Sequence, residues 1–349
     1  MEVKEFEIYL NNNYGRLKQL EDSTQKIVRK ILDDNGVAYF DVKHRTKDIK
    51  NAVEKQRDKR YSNPTSDMTD LVGIRVIVFL ESDIEKAEKI LRDSFSIDEK
   101  NCVDKRKKSI DQVGYRSLHL VCSLGEKRKA VPEYCGITEH KFEIQIRTLL
   151  EHAWAEIEHK QNYKGTRTLP EELQRRLMIL AGTLELLDNE FSKIVAEAEA
   201  YGEMVLENNV SVLDDNISVT SAETLLNDFA RTNKKVVRSM QASKDGIIPE
   251  LNEFGITKNS ELKNLVESVG QKALLADEDI TLFGFYRNAM MAEDFEKYLG
   301  TAYNNSFTFM LDEVDFLTNV CGYSKVIEKI QEHGADFDSV YSKDVYYFP

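Results

Sequence analysis

The sequence is poor in several features that would assign it to a specialised class. Its four cysteines among 349 residues, Cys102, Cys122, Cys135 and Cys321, form no CxxC pair. Zinc-ribbon and thioredoxin-like readings therefore have no support, and free, mostly buried thiols in a reducing compartment are expected. No apolar run approaches the roughly 20 residues that cross a bilayer. The opening segment MEVKEFEIYLNNNYG has neither a basic start followed by an apolar stretch nor a small-residue cleavage site, so a cytoplasmic protein is expected. There is no GxxxxGK[ST] loop, so any phosphate binding must rely on side chains more than on a glycine cradle. An HExxH motif, internal repeats and low-complexity tracts are also missing.

What is present describes an ordinary globular chain, 41% apolar and 31% charged. The length allows two domains, or one with a large appendage. The net charge of −13 is unevenly spread. Residues 1–165 carry 31 Lys and Arg against 29 Asp and Glu, whereas residues 166–349 carry 17 against 32. The first part can hold an anion and the second repels one, which locates the chemistry in the N-terminal half.

Periodicity predicts helix over residues 1–62, with Leu17, Leu20, Ile27 and Ile31 near helical spacing. Strands are expected at Gly73–Leu80, Ser117–Ser123 and Lys141–Thr148, and helices at Ile84–Phe95 and from about Leu149 to Lys164. That order implies an α+β fold, a mixed β-sheet flanked by helices. Pro170 opens a long helix to about Glu207. The polar stretch Asn208–Ser221 reads as turn-rich. The expected domains are 1–205, a linker at 206–221, and an acidic, mostly helical C-terminal domain at 222–349.

Alternation along Phe142–Arg147 puts Phe142, Ile144 and Ile146 on one face and Glu143, Gln145 and Arg147 on the other. Arg75 likewise opposes Ile74 and Val76, and Ser117 and His119 oppose Leu118 and Leu120. Three strands thus offer polar groups to one surface; the plain alternative is a solvated sheet face. Asp70 and Glu143, entering from separate strands, are a candidate pair for a hard cation. The basic run from His44 to Arg60 supplies Arg45, Lys47 and Lys55; if helical from about Lys47, it stacks Lys47, Asn51 and Lys55 along one side. Tyr115 follows a turn glycine and is a candidate for stacking on a base. His152, Glu156, His159 and Tyr163 share a helical stripe. Without a companion motif, orientation of a substrate by His152 is favoured there over a transition-metal site.

Five ordered segments together resemble the synthetase domain of the RelA/SpoT family, the alarmone synthetases. They are Arg45-Thr46-Lys47 with Lys55; Asp70-Leu71-Val72-Gly73-Ile74-Arg75-Val76; Gly114-Tyr115-Arg116-Ser117-Leu118-His119; Glu143-Ile144-Gln145-Ile146-Arg147-Thr148; and the helix running from His152 to Lys164. They span roughly residues 40–165. The resemblance implies a nucleotidyltransferase-like fold and transfer of the β,γ-pyrophosphate of ATP to the ribose 3′-hydroxyl of GDP or GTP, yielding (p)ppGpp. It implies that Arg45, Lys47, Lys55 and Arg75 bind ATP. It further implies that Asp70 and Glu143 hold Mg2+, with Glu143 also accepting the hydroxyl proton, and that Tyr115, Gln145, Arg147 and His152 shape the acceptor pocket.

The chain departs from the family pattern at Asn51, where Ser is usual, and at the cluster Lys105–Lys108, which replaces the usual Pro-Lys approach to Tyr115. It contains no His-Asp dipeptide, so the hydrolase activity of long family members is not expected. The acceptor stays open among GDP, GTP, an adenine nucleotide and the 3′ end of tRNA, as in toxic small synthetases, and a non-catalytic nucleotide sensor is the remaining alternative. Candidate partners beyond the nucleotides are a second copy of the chain and a regulatory protein or antitoxin engaging the C-terminal region. That acidic region, ending in Tyr341…Tyr346-Tyr347-Phe348, either restrains the basic catalytic face or binds a partner on its own account.

Overall fold

The computed structural model describes residues 1–106, 117–161, 169–238, 246–276, 280–304 and 307–338, with backbone alone at 159–161. Two compact units divide between Ile194 and Val195.

The first unit contains helices α1 (Val3–Asp34), α2 (Ile49–Lys59), α3 (Pro64–Asp67), α4 (Glu81–Ser94), α5 (Glu126–Lys129), α6 (Leu149–Gln161) and the first part of α7 (Glu171–Leu206). Its strands are β1 (Tyr39–Thr46), β2 (Val72–Val78), β3 (Ser96–Ile97), β4 (Val103–Asp104), β5 (Leu118–Ser123) and β6 (Phe142–Thr148). They form one sheet in the order β1-β2-β6-β5-β3, with β4 also on β5. β2 and β6 run parallel, and the other pairings are antiparallel. The expected mixed sheet is therefore present.

One face of the sheet is apolar. Ile74, Val76, Ile144, Ile146, Leu118 and Leu120 are buried there in a cluster with Leu17, Leu20 and Val28 of α1 and Ile84, Ala87 and Leu91 of α4. Alternation leaves the polar residues of the same strands on the opposite face, the one that α6 meets through β2 and β6.

The expectation of helix throughout residues 1–62 is corrected by β1. The first helix ends before Gly36, whose φ of 64° suits the left-handed region, and the chain returns as an edge strand. Only Val42 in β1 is buried, so the strand lacks an alternating apolar signal. A buried acid holds it instead. Glu21, 3% exposed, takes hydrogen bonds from His44 Nδ1 at 2.8 Å, from Thr46 Oγ1 and from Lys18 at 2.7 Å.

The second unit is helical. After the end of α7 come α8 (Val210–Leu213), α9 (Val219–Thr232), α10 (Ile247–Glu253), α11 (Asn259–Ala273), α12 (Leu282–Glu293), α13 (Phe295–Thr301), α14 (Leu311–Asp315) and α15 (Val326–Glu332). They enclose a separate core that includes Leu226, Leu251, Phe254, Leu262, Phe285, Tyr286, Tyr298 and Phe309. The segment Asn208–Ser221, expected as a linker, contains α8 and the start of α9 and buries Val212, Ile217 and Ser221. Its polar residues are helix caps: Asn209 accepts from the Ser211 amide, and Ser218 from that of Ser221. All four cysteines are free, but only Cys122 is fully buried and Cys135 is exposed. Among the described residues no helix is long and apolar enough to cross a membrane.

Candidate active site

The sheet ladder sets the polar face row by row. Arg45 lies opposite Gly73, and Gly73 opposite Glu143; Lys43 lies opposite Arg75, Arg75 opposite Gln145, and Gln145 opposite His119. Since Gly73 has no side chain, the floor between Arg45 and Glu143 is bare backbone. A cleft of about 480 Å³ opens there, lined by Lys43, Arg45, Asp70, Arg75, Glu143, Gln145, Arg147 and Glu156, among others. An adjoining recess of about 700 Å³ is lined by Arg45, Lys47, Asn51 and Lys55.

Asp70 sits in the turn before β2 and meets two ammonium groups, Lys47 Nζ and, at 2.8 Å, Lys55 Nζ, both on Oδ2. The other oxygen, Oδ1, is buried without a hydrogen-bond partner. Burial works to raise the Asp70 carboxyl, but the two lysines outweigh it and hold it below the ordinary range. Lys47 precedes α2 and is not part of it: Asp48 caps that helix by accepting from the Lys50 and Asn51 amides, so the helical stack expected from Lys47 begins two residues later. Lys47, Asn51 and Lys55 nevertheless line one recess. Burial pulls the Lys47 ammonium below its usual value; on Lys55 burial pulls the same way, but Asp70 outweighs it.

Glu143 is held from both sides. His119 Nδ1 lies 2.6 Å from Oε1, and Gln145 Nε2 donates to Oε2 at 2.9 Å. Arg147 Nη2 in turn donates to Gln145 Oε1 at 2.8 Å. Burial works to raise the Glu143 carboxyl, and His119 and Gln145 overcome it, so the group is held below the usual glutamate range. Asp70 and Glu143 are thus both carboxylates at neutral pH and sense each other's charge.

Arg75 Nη1 donates to Glu156 Oε1 of α6 at 2.7 Å. His152, 6% exposed, places Nε2 3.1 Å from Lys43 Nζ. Burial, then the charges of Lys43, Arg147 and Arg75, push His152 down to about 4, so the imidazole is neutral at physiological pH. Between pH 6.5 and about 4 the unfolded chain protonates this histidine while the folded chain does not. Stability should therefore fall as pH falls through that window, and His152→Asn should flatten that slope in denaturant titrations.

Nine of the ten residues expected at the site can be located. Arg45, Asp70, Arg75, Glu143, Gln145 and Arg147 line the main cleft, Lys47 and Lys55 the adjoining recess, and His152 is reached from the cleft through Lys43. Tyr115 lies outside the described residues, as do Lys107, Lys108, Tyr163 and the C-terminal aromatic tail. Arg147 is 2% exposed, so this part of the polar face is covered. Three contributors go beyond the expected site residues: Lys43 on the edge strand β1, Glu156, whose contact with Arg75 spans two elements, and His119, which meets Glu143 across β5 and β6.

Residues 44–168 match the family described as a region found in RelA / SpoT proteins. The GTP pyrophosphokinase YjbM of Bacillus subtilis (strain 168) is 32% identical over 177 residues, covering 48% of this chain and 76% of that protein. The chain belongs to the RelA/SpoT family. Its synthetase domain is of the small alarmone synthetase kind and spans about half the chain, with an additional helical C-terminal region. A second relative, the GTP pyrophosphokinase YwaC of the same organism, is 30% identical over 164 residues, 45% of this chain and 74% of its own length. Among solved structures, the B. subtilis small alarmone synthetase 1 bound to its product pppGpp is 27% identical, with 56% of this chain and 98% of that one covered and a TM-score of 0.44.

Proposed function

We propose that the chain transfers the β,γ-pyrophosphate of ATP to the ribose 3′-hydroxyl of GDP or GTP, making (p)ppGpp. The observation that carries this reading is the convergence of two ionised carboxylates, Asp70 and Glu143, on a cleft walled by Lys43, Arg45 and Arg75. Carboxylates of this kind, one with an oxygen unused by the protein, suit a hard divalent cation. No cluster of three or more His, Cys, Asp or Glu that could hold a metal occurs among the described residues, so the remaining ligands would be phosphate oxygens and water. That donor set fits Mg2+. When bound, Mg2+ would neutralise triphosphate charge and favour in-line geometry.

The protein groups divide the remaining work. Lys47 and Lys55 donate to the ATP phosphates, sharing with them the charge they now direct at Asp70. Arg45 and Arg75, with planar guanidinium groups, stack on the adenine. Glu143 takes the proton of the 3′-hydroxyl as its oxygen bonds to the β-phosphorus; the bond from that phosphorus to the α,β-bridging oxygen breaks, and AMP leaves with the electron pair. Gln145, Arg147 and His152 bound the acceptor side, together with Tyr115. Of the basic cluster Lys105–Lys108, Arg106 is turned onto Asp104 by two hydrogen bonds of 3.0 Å, which disfavours an RNA-binding role for it.

Incubation with ATP labelled at the γ-phosphate and a mixture of GDP, GTP, AMP and tRNA, followed by mass-spectrometric identification of the product, tests the proposal. Label should appear on the guanosine nucleotides. Label confined to tRNA or to an adenine nucleotide would reassign the acceptor, and label on none of them would remove the enzyme reading.

A further inference from the structure

The two nucleotides of this reaction both carry a purine and a polyphosphate, so cations alone cannot sort donor from acceptor. The bases differ at position 6, where adenine has an amino group that donates and guanine a carbonyl that accepts. The adenine slot proposed above has room for one ring. Lys43 pairs with Arg75 and Arg45 with Gly73, so Arg45 and Arg75 are diagonal neighbours on one face, about 7–8 Å apart at their roots. That is roughly two stacking distances of about 3.5 Å.

One acid stands at the rim of the slot. Glu156 lines the same cleft from α6, with its side chain 47% exposed. Its Oε1 accepts from Arg75 Nη1 at 2.7 Å. His152 faces that same oxygen: Lys43 donates to its Nε2, so the ring proton is on Nδ1, 4.0 Å from Glu156 Oε1. Among the described residues none donates to Oε2. Burial works to raise the Glu156 carboxyl, and Arg75 overcomes it, so the group is an anion at neutral pH. Guanidinium N–H groups lie in the plane of the group. The bond to Arg75 therefore holds the carboxylate at the edge of the surface on which a base stacks, with one acceptor oxygen left over.

We propose that Glu156 selects the donor base, its Oε2 accepting from the 6-amino group of an adenine stacked on Arg75. This rests on the reading of Arg45 and Arg75 as the adenine slot of a pyrophosphate-transfer site. A carboxylate can only accept, so a 6-oxo purine in the slot sets two acceptors against each other. A carboxylate with both oxygens free can instead grip guanine, through N1–H and the 2-amino group. That grip uses both oxygens, and Arg75 occupies one of them. The single remaining oxygen matches a single amino group.

The test measures release of AMP from ATP, or of IMP from inosine triphosphate (ITP), by the full chain with saturating GDP and Mg2+. Wild type should prefer ATP in kcat/KM. Glu156→Gln keeps an oxygen for Arg75 and turns an amide N–H group outward, which suits a carbonyl and opposes an amino group. The ATP preference should fall by about 10- to 10²-fold, with the ITP value rising as the ATP value falls. Glu156→Ala should narrow the gap without that rise. KM for GDP should stay at the wild-type value in both variants. Equal loss for the two donors would mean that Glu156 only steadies Arg75, and would overturn the proposal; so would an unchanged ratio. Metal-free binding of ATP and ITP, followed by calorimetry, gives a second readout that needs no turnover. If wild type binds ATP over ITP, Glu156→Gln abolishes that preference, and no variant releases AMP, the base-reading role stands and the pyrophosphate-transfer reading fails.

Discussion

Glu143→Gln should reduce kcat by about 10²- to 10⁴-fold, the range expected when a positioned general base is removed, with the fold intact. The substitution keeps the shape of the side chain, and its amide oxygen can still accept from Gln145 Nε2, whose own oxygen stays on Arg147. It removes the charge and the basicity, together with one oxygen donor for the divalent cation. Two measurements separate these losses. Metal-free ATP binding, followed by calorimetry, should match wild type, because the arginines and lysines on the donor side are untouched. Single-turnover rates should stay low even at saturating Mg2+. Recovery of the wild-type rate at high metal concentration would mean that Glu143 serves the cation alone and that another group takes the proton.

Asp70→Asn should have the second-largest effect, lowering turnover by about 10²- to 10³-fold, as for loss of one preorganised electrostatic contact in an enclosed site. The side chain changes by one atom, but the charge between Lys47 and Lys55 disappears. Two enclosed ammonium groups then face each other with their shared counter-ion gone, so the free variant should melt below wild type. An anion replaces what was lost. Metal-free ATP should bind the variant at least as tightly as wild type, because its phosphates no longer compete with Asp70 for the lysines, and should restore the melting temperature. Turnover within about threefold of wild type, less than one ordinary hydrogen bond is worth, would exclude Asp70 from the reaction.

The central strands were legible in the sequence because one physical rule governs them. Side chains alternate, the apolar set must face α1 and α4, and Glu143, Gln145 and Arg147 are left together on the far face, as the structure has them. The rule fails where something other than apolar burial holds a segment. β1 buries one residue of eight and is secured by the Glu21 cluster, a long-range polar arrangement with no local signature. The same gap hid Lys43. The caps at Asn209 and Ser218 misled in the opposite direction: polar residues that start helices are the same types that make turns. His119 was visible as a residue on the polar face, but its place between Ser117 and Glu143 depends on β5 pairing with β6, and pairing is not written in either strand alone.

The parallel pairing of β2 with β6 has a consequence for how this chain tolerates change in length. Glu143 is tied to Gly73 through the ladder, and Asp70 to Gly73 through the two residues between them, Leu71 and Val72, so the gap between the acids does not depend on the path from Val78 to Phe142. That path can grow or shrink at its surface turns while the two oxygen donors stay where they are. A single extra residue inside β6 before Glu143 acts otherwise: it would turn the acid into the hydrocarbon interior and present an isoleucine or phenylalanine to the nucleotide.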